Sequence, residues 1–334
     1  MLASQPDLPG LPPDFAMLRY RCFQNCDPPK IASMWCDQPS RRGVARKVTT
    51  GLLEQLVFCK PYFDPEGLIV AENDHGIVGF AHAGFGPNEQ YDDIEMELGV
   101  TCLLMVSPVA DRESIADELM RRSEEYLHGR GAKVLYAGAI YPLNPFYLGL
   151  YGGSELPGVL QSDTVSLEVF SRFGYQEIDR CVILQRELKN FRPLVDRRHL
   201  KLKREYRIDI DSSALSANWW EACTNGCIER TRFEIRPVGR GSSCGGLSHW
   251  AVEPLGSSWG VHLAGLSQVE IVRGLRKLGL ATYLNSEVLR QLQLAGANLV
   301  EAQTMKDNST ALALYHKLGF KTVDHGLVMR KQAR

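Results

Sequence analysis

The sequence predicts an α/β fold that is built twice, as two tandem domains with a central mixed β-sheet flanked by helices in each. Apolar runs of strand length alternate with segments whose apolar residues recur every three or four positions, which is typical of strands and helices. The order of these segments in the first half recurs in the second half. The chain has 334 residues, 44% of them hydrophobic, which is enough for two domains of ordinary size.

In the first half, two apolar runs flank "DHG" and predict a strand pair over residues 67–73 and 76–85. A strand is predicted over 98–108, then a helix over 114–132 with Ser114 as its N-cap and Gly129 near its end. A strand over 133–141, a short helix ending in "VFSRFGY" and a strand over 180–188 complete the predicted order.

The second half predicts the same order of elements. Strands are expected over 261–272, 298–305 and 325–331, with helices over 279–297 and 309–320. The glycine-rich run "GRGSSCGG", residues 239–246, lies between two strand-like segments and predicts a hairpin loop.

The two halves are separated by a segment that is short of large apolar residues and dense in charge. We therefore predict a degenerate first domain over residues 1–190, a basic linker over 191–205 and a second domain over 206–334. The linker could form a basic patch for a polyanion, but charge runs between domains are usually solvated.

The overall composition argues against several classes of partner. The formal net charge is −1, with 38 basic and 39 acidic residues, which disfavours nucleic acid and anionic membranes as partners. The N-terminal segment lacks signal-peptide features and no apolar run is long enough to cross a bilayer, so a soluble cytoplasmic protein is expected. The nine cysteines are an odd number without zinc-site spacing, which predicts reduced, mostly buried thiols and no metal.

The stretch "LRKLGLATYL" indicates a binding turn for phosphate. Apolar residues recur every fourth position from Leu280 to Leu292, so a helix begins near Gly279. The first amides of a helix have no intrahelical partner, and a phosphate can accept hydrogen bonds from them. Gly279 and Ala281 keep the backbone accessible, while the basic residues before them add charge, so the turn is shaped for a pyrophosphate.

Two motifs in this half resemble those of the GNAT superfamily of N-acetyltransferases. The first is Gln/Arg-x-x-Gly-x-Gly/Ala, matched by Arg276, Gly279 and Ala281. The second is approximately Asn-x-x-Ala-x-x-x-Tyr-x-x-x-Gly-Phe, which is matched by Asn308, Ala311, Tyr315, Gly319 and Phe320. Rossmann and P-loop motifs do not occur. The tandem arrangement is similar in architecture to that of mycothiol synthase.

The resemblance implies direct transfer of an acetyl group from acetyl-CoA to an amine, with Tyr315 as the general acid that protonates the leaving sulfur. It implies coenzyme contacts along the strand end, the turn and the last helix, from Glu270, Ile271, Val272, Arg276, Lys277, Leu278, Gly279, Leu280, Ala281, Thr282, Asn308 and Tyr315. The general base stays open among His249, Glu253, His262, Glu270 and a water chain.

The first half departs from the motifs in a chemically coherent way. Asp111 replaces Arg276, Ser114 replaces Gly279, Asp163 replaces Asn308 and Phe170 replaces Tyr315, whereas Ala116 matches Ala281. A carboxylate repels pyrophosphate and phenylalanine has no proton to donate, so this half is expected to support the second or to shape its acceptor pocket. The alternative is that it binds acetyl-CoA without turning it over.

The first half also holds 20 extra residues around 142–161, in a loop that is either functional or a packing flap. The acceptor is expected to be a small-molecule or peptide amine, and residues 144–155 and 230–253 could shape its site. A noncatalytic acyl-CoA-binding or sensing protein is the alternative function. The chain is expected to be a monomer or a homodimer.

Overall fold

The structure is a computed structural model, and it describes residues 18–109, 111–143, 146–193, 196–212, 216–239 and 241–332. Within these residues the strands of both halves join into one continuous mixed sheet of thirteen strands, with helices packed on it. The α/β class predicted from the sequence is confirmed.

The first half contributes seven strands and four helices. The strands are β1 (Arg19–Cys22), β2 (Leu68–Asn73), β3 (Gly76–Pro87), β4 (Ile94–Val106), β5 (Val134–Ala137), β6 (Val159–Leu160) and β7 (Gln176–Glu187). The helices are α1 (Pro28–Cys36), α2 (Thr50–Leu53), α3 (Arg112–Gly129) and α4 (Thr164–Arg172).

The second half contributes six strands and five helices. The helices are α5 (Arg197–Glu205), α6 (Trp219–Asn225), α7 (Glu253–Trp259), α8 (Leu280–Leu294) and α9 (Ser309–Lys317). The strands are β8 (Tyr206–Asp211), β9 (Thr231–Pro237), β10 (Gly245–Ala251), β11 (Leu263–Ile271), β12 (Leu299–Met305) and β13 (Lys321–Gln332).

The last strand of each half pairs with the other half. Along the sheet the order is β1-β2-β3-β4-β5-β13-β7-β12-β11-β10-β9-β8, with β6 beside β13. Strand β7 is antiparallel to β12 from Glu187 opposite Leu299 to Cys181 opposite Met305. Strand β13 is antiparallel to β5, from Met329 opposite Ala137 to Gln332 opposite Val134. Strands from both sides of the predicted domain boundaries at 190 and 206 therefore share one sheet. The boundaries themselves stay predictions.

The residues between the halves are more ordered in secondary structure than the sequence suggested. Helix α5 occupies 197–205 of the predicted basic linker, and the Asp196 side chain caps it by accepting a hydrogen bond from the His199 amide at 2.7 Å. His199 and Leu202 are buried on its inner face. Leu194 and Val195 of the linker, like residues 1–17, lie outside the described residues.

Two smaller predictions were wrong. Helix α3 starts at Arg112 after Asp111, and the Ser114 hydroxyl instead donates to the Asp111 carbonyl at 2.9 Å. The nine thiols are free, but only Cys102, Cys181 and Cys244 are buried, and four of the nine are exposed. Apolar neighbours in sequence do not fix burial, because half the residues of an apolar strand or helix can face solvent.

The hairpin predicted at 239–246 is present, since β9 and β10 pair as antiparallel neighbours, although Arg240 lies outside the described residues. Among the described helices, none combines the length and apolar character needed to cross a bilayer. No group of three or more His, Cys, Asp or Glu side chains suited to a metal ion occurs in the described part of the chain.

Candidate functional site

A cleft opens between two neighbouring parallel strands of the second half. Strands β11 and β12 pair from Leu263 opposite Leu299 to Leu266 opposite Ala302, and both strands then continue past the last pair. A β-bulge lies at this point, because the register of β11 against β10 shifts between Gly246 and Ser248. Gln268 takes a positive φ of 53° there. A bulge increases local twist, so residues 267–271 diverge from residues 303–305 and leave backbone groups facing the cleft.

The strand that forms one wall of the cleft leads into the turn predicted to hold a pyrophosphate. Gly279 has a φ of 85° and immediately precedes α8. The first hydrogen bond into the helix runs from the Tyr283 amide to the Gly279 carbonyl at 3.0 Å. The amides of Leu280, Ala281 and Thr282 precede that bond, and so they point out of the helix start where a phosphate can accept from them.

A second basic residue supports the turn from outside the predicted motif. Arg198 on α5 donates from Nε to the Leu278 carbonyl at 2.9 Å and from Nη2 to the Lys277 carbonyl at 2.7 Å. Arg276 folds the other way, and its Nε donates to the Ile271 carbonyl at 3.0 Å. Sequence reasoning missed Arg198 because it lies 80 residues from the turn, in a charge run that reads as a solvated linker.

A side chain at position 279 has no room. A Cβ atom there would lie 2.8 Å from Arg198 Nε. Glycine is therefore required twice at this position, by the left-handed backbone and by the guanidinium packed on it. The basic charge and the open helix start are held together in one compact turn.

Tyr315 is buried in the middle of α9, with 4% of its surface exposed. Its ring packs against Phe320 at a centroid distance of 5.2 Å. Burial raises the pKa of its phenol, and the nearby carboxylate of Glu155 raises it further, so Tyr315 carries its proton at neutral pH. A protonated phenol is the form that a general acid requires.

The other predicted coenzyme residues lie along the cleft and the turn. Glu270 and Ile271 end β11, Val272 follows it, and Arg276 to Leu278 form the exposed turn. Asn308 lies at the start of α9, where its side-chain oxygen accepts a hydrogen bond from the Ala311 amide at 3.1 Å. The structure thus gives Asn308 a capping role within its own helix.

The four side chains named as base candidates occupy different environments. Glu253 and His262 are exposed, and Glu270 forms an ion pair with Arg232 at 2.6 Å. His249 packs on Phe233 at a centroid distance of 5.6 Å, and burial lowers its pKa. Trp250, its neighbour along β10, points to the opposite face of the sheet.

The extra loop of the first half packs on the face of the sheet to which Trp250 points. We call residues 146–158 the crossing loop; Asn144 and Pro145, just before it, lie outside the described residues. The Ser154 amide donates to Glu301 Oε1 at 2.7 Å, and the Trp250 indole donates to the Ser154 carbonyl at 3.2 Å. Gln303 Nε2 donates to the Gly152 carbonyl at 2.9 Å. The loop is thereby fixed to β10 and β12 of the second half.

The crossing loop also carries a carboxyl group with an unusual pKa. Burial raises the pKa of Glu155 to about 7, with Glu301 raising it further and Arg230 opposing the shift. Burial lowers the pKa of Arg230 itself, and its Nη2 donates to Asn225 Oδ1 at 2.9 Å. The sequence marked this loop by its length and glycines, but nothing in it singled out Glu155.

The equivalent positions of the first half are taken up by internal contacts. Strands β4 and β5 also diverge after Thr101 and Ala137, but the Ser166 hydroxyl donates to the Leu104 carbonyl at 3.3 Å across that gap. Asp163 forms an ion pair with Arg41 and accepts a hydrogen bond from the buried Tyr151 hydroxyl at 3.2 Å. The Leu104 carbonyl and the Asp163 carboxylate thus have their partners within the first half.

Comparisons with known proteins agree with this architecture. Residues 217–320 match the profile of the acetyltransferase (GNAT) family. No curated protein matches the chain in sequence. Three solved structures share the fold over nearly the whole chain, each at 14–16% identity, which is a likeness of fold alone.

The first of these structures is a GCN5-related glucosamine N-acetyltransferase region of a fungal multi-domain GH3 β-N-acetylglucosaminidase, with a TM-score of 0.67 and 16% identity. It matches 96% of this chain, which spans 38% of the length of that protein. A tandem GNAT protein from the clavulanic acid biosynthesis pathway has a TM-score of 0.65 at 15% identity, over 95% of this chain and 99% of its own. A GCN5-related N-acetyltransferase from Sphaerobacter thermophilus has a TM-score of 0.61 at 14% identity, over 94% and 95%. The family match is thus confined to residues 217–320, and the whole chain is similar in fold to a tandem GNAT protein.

Proposed function

We propose that this protein is an acetyl-CoA-dependent N-acetyltransferase and that its second half carries out the reaction. One observation carries the proposal: the cleft between β11 and β12 leads directly into an open helix start at Gly279 that two guanidinium groups support. A long ligand with a pyrophosphate at one end and an apolar arm at the other fits that combination. The arm would lie along the free edge of β11, where the backbone of Glu270 to Val272 offers hydrogen bonds.

The chemistry needs no covalent nucleophile on the protein. A neutral amine attacks the thioester carbonyl, and a backbone amide beside the cleft would polarise that carbonyl. Tyr315, which keeps its proton at neutral pH, is proposed to protonate the departing sulfur. The acceptor is proposed to be a small-molecule or peptide amine that enters from the face covered by the crossing loop.

The internal contacts of the first half favour a structural role for it, without a coenzyme site of its own. The Ser166 hydroxyl and the Asp163–Arg41 ion pair occupy the region that corresponds to the coenzyme site. We therefore expect one acetyl-CoA site per chain.

The noncatalytic alternative, an acyl-CoA-binding or sensing protein, draws on the packing of Tyr315. That side chain contacts Phe320 in the core and could serve as a buried aromatic only. The two functions differ in whether the tyrosine proton matters, and a test of Tyr315 follows in the Discussion.

The decisive experiment is a calorimetric titration of the whole chain with acetyl-CoA, repeated on Gly279→Trp. An indole at this position collides with Arg198 and fills the turn. The expected result is one site in the natural protein and none in the variant, with Gly274→Trp as a control in the exposed turn, where a Cβ meets no atom within 4 Å. Absence of binding to the natural protein would refute the proposal, and a site that survives Gly279→Trp would move the coenzyme elsewhere.

A further inference from the structure

We propose that Glu155, supplied by the first half, is the group that removes the proton from the acceptor amine in the second half. The inference rests on the acetyl transfer proposed above and adds the proton acceptor that the sequence left open. It gives the crossing loop a catalytic role in addition to its packing role.

The position of Glu155 is fixed by its neighbours in the chain. The Ser154 amide is held by Glu301 and the Ser154 carbonyl by Trp250, at 2.7 and 3.2 Å. On the other side, Pro157 forms a β-bridge with Ile140. Gly153 fits against Glu301 with no room for a side chain. A carboxyl group held between such anchors keeps its place without a substrate, as preorganised catalysis requires.

The groups that interact electrostatically with Glu155 come from β7 and from the second half. It acts on Tyr315 from α9 and on Cys181 from β7, raising the pKa of both. Cys181 lies opposite Met305, in the part of β12 that has diverged from β11. Arg230 and Glu301 are the charged groups that act on Glu155 itself. Gln303 Nε2 also donates to the Glu155 carbonyl at 3.5 Å, so Glu155 lies against the diverged end of β12.

Unpaired buried polar groups surround the same place. The hydroxyls of Ser154 and Ser267 are 1% and 7% exposed as residues, and neither has a hydrogen-bond partner among the described residues. Arg230 Nε is also buried without one. A Cβ on Gly265 would collide with Ser154 and approach Trp250 Nε1 to 3.0 Å, so the loop lies directly on β11. Buried polar groups of this kind hydrogen-bond to water or to a polar ligand.

The ionisation of Glu155 suits a base at neutral pH. Burial raises its pKa to about 7, so the carboxylate is populated at neutral pH and still accepts a proton readily. The four earlier candidates lack this combination, because Glu253, His262 and Glu270 face solvent and His249 points to the other face.

The proton and electron balance is complete. The Glu155 carboxylate takes one proton from the ammonium group and passes it to water. The neutral nitrogen then forms the C–N bond as the C–S bond breaks, and the sulfur takes the Tyr315 proton. The second proton lost by the nitrogen restores the phenol.

The test compares the natural chain with Glu155→Gln, Glu155→Asp and the control Glu229→Gln, an exposed carboxylate next to Arg230 in sequence. Calorimetry with acetyl-CoA comes first, and all four proteins should bind alike. Glucosamine, lysine, spermidine and a tripeptide then serve as probe amines at saturating acetyl-CoA. Glu155→Gln should lower kcat/KM by about 10²- to 10³-fold. Glu155→Asp should retain more activity, and Glu229→Gln should match the natural protein.

The pH profile separates a base from a structural residue. Below its pKa a carboxyl is protonated and cannot accept, so kcat/KM of the natural protein should fall with decreasing pH through about 7. In Glu155→Gln that inflection should disappear. An unchanged rate and profile in Glu155→Gln would overturn the proposal while leaving acetyl transfer intact, whereas loss of acetyl-CoA binding by the natural chain would overturn both.

If none of the four amines reacts, chemical modification of Glu155 tests the proposal without an acceptor. A carbodiimide with glycinamide modifies protonated carboxyls, and peptide mass spectrometry reads each site against pH. Glu155 should remain reactive to near pH 7. If its reactivity is already lost well below that pH, the proposal fails.

Discussion

Replacing Gly153 by alanine tests how firmly the crossing loop is held on the second half. A Cβ atom at this position would lie 2.8 Å from Gln303 Nε2 and still closer to Glu301 Oε1, whereas real Cβ atoms essentially never approach below 3.0 Å. Gly153 also has a φ of 111°, which alanine adopts only with strain. The loop must therefore retreat from β12.

The expected loss of stability follows from these contacts. Retreat breaks the bond from the Ser154 amide to the Glu301 carboxylate, and a hydrogen bond to a charged group contributes about 1.5–3 kcal/mol. Backbone strain adds about 1–2 kcal/mol. The free energy of unfolding should fall by about 3–5 kcal/mol in Gly153→Ala.

Two glycines provide matched controls. Gly174 has a φ of 84° with open space around its Cβ position, so Gly174→Ala reports backbone strain alone, about 1 kcal/mol. Gly129, at the end of α3, has open space and ordinary backbone, and Gly129→Ala should change stability by about 0.5 kcal/mol or less. Guanidinium unfolding of the whole chain, compared at a common slope, gives the three values. If Gly153→Ala is no less stable than Gly174→Ala, the loop is not anchored as described.

Two further predictions concern the coenzyme site. Tyr315→Phe should lower acetyl-CoA turnover, measured as thiol release, by about 10²-fold or more while calorimetric affinity stays the same; full turnover in the variant would leave the tyrosine a packing role only. Arg198→Ala should weaken acetyl-CoA binding by about five- to twentyfold, because the guanidinium both supports the turn and adds charge beside it. Lys201→Ala, an exposed cation on the same helix, should have a much smaller effect, and equal losses in the two variants would assign the effect to net charge.

The elements near the motifs were predictable because they follow local rules. The helix after Gly279 was expected over 279–297 and occupies Leu280–Leu294, since its apolar residues recur every fourth position and glycine at 296 can end it. Asn308 was expected near a helix start, and it caps α9. The strand predicted over 298–305 is observed as Leu299–Met305, because its apolar pattern is also local.

The features that the sequence did not predict depend on contacts between residues distant in sequence. The sequence of β7 carries no mark that pairs it with β12 of the other half, because a hydrophobic pattern sets which residues are buried but not which strand becomes the neighbour. Arg198 gains its role from carbonyls 79 and 80 positions away, and Glu155 gains its role from charged residues of the second half. Their own sequence surroundings are an ordinary charge run and a glycine-rich loop.

The exchange of the last strands has a consequence for any attempt to separate the halves. A fragment containing only residues 206–334 would lose β7, and with it the partner that covers β12 along one wall of the cleft. It would leave β12 and β13 with unpaired edges, which are ready templates for association between chains. The first half is therefore required for the second half to fold, although it lacks the motifs. Expression of residues 206–334 alone should yield aggregates and not a smaller folded protein.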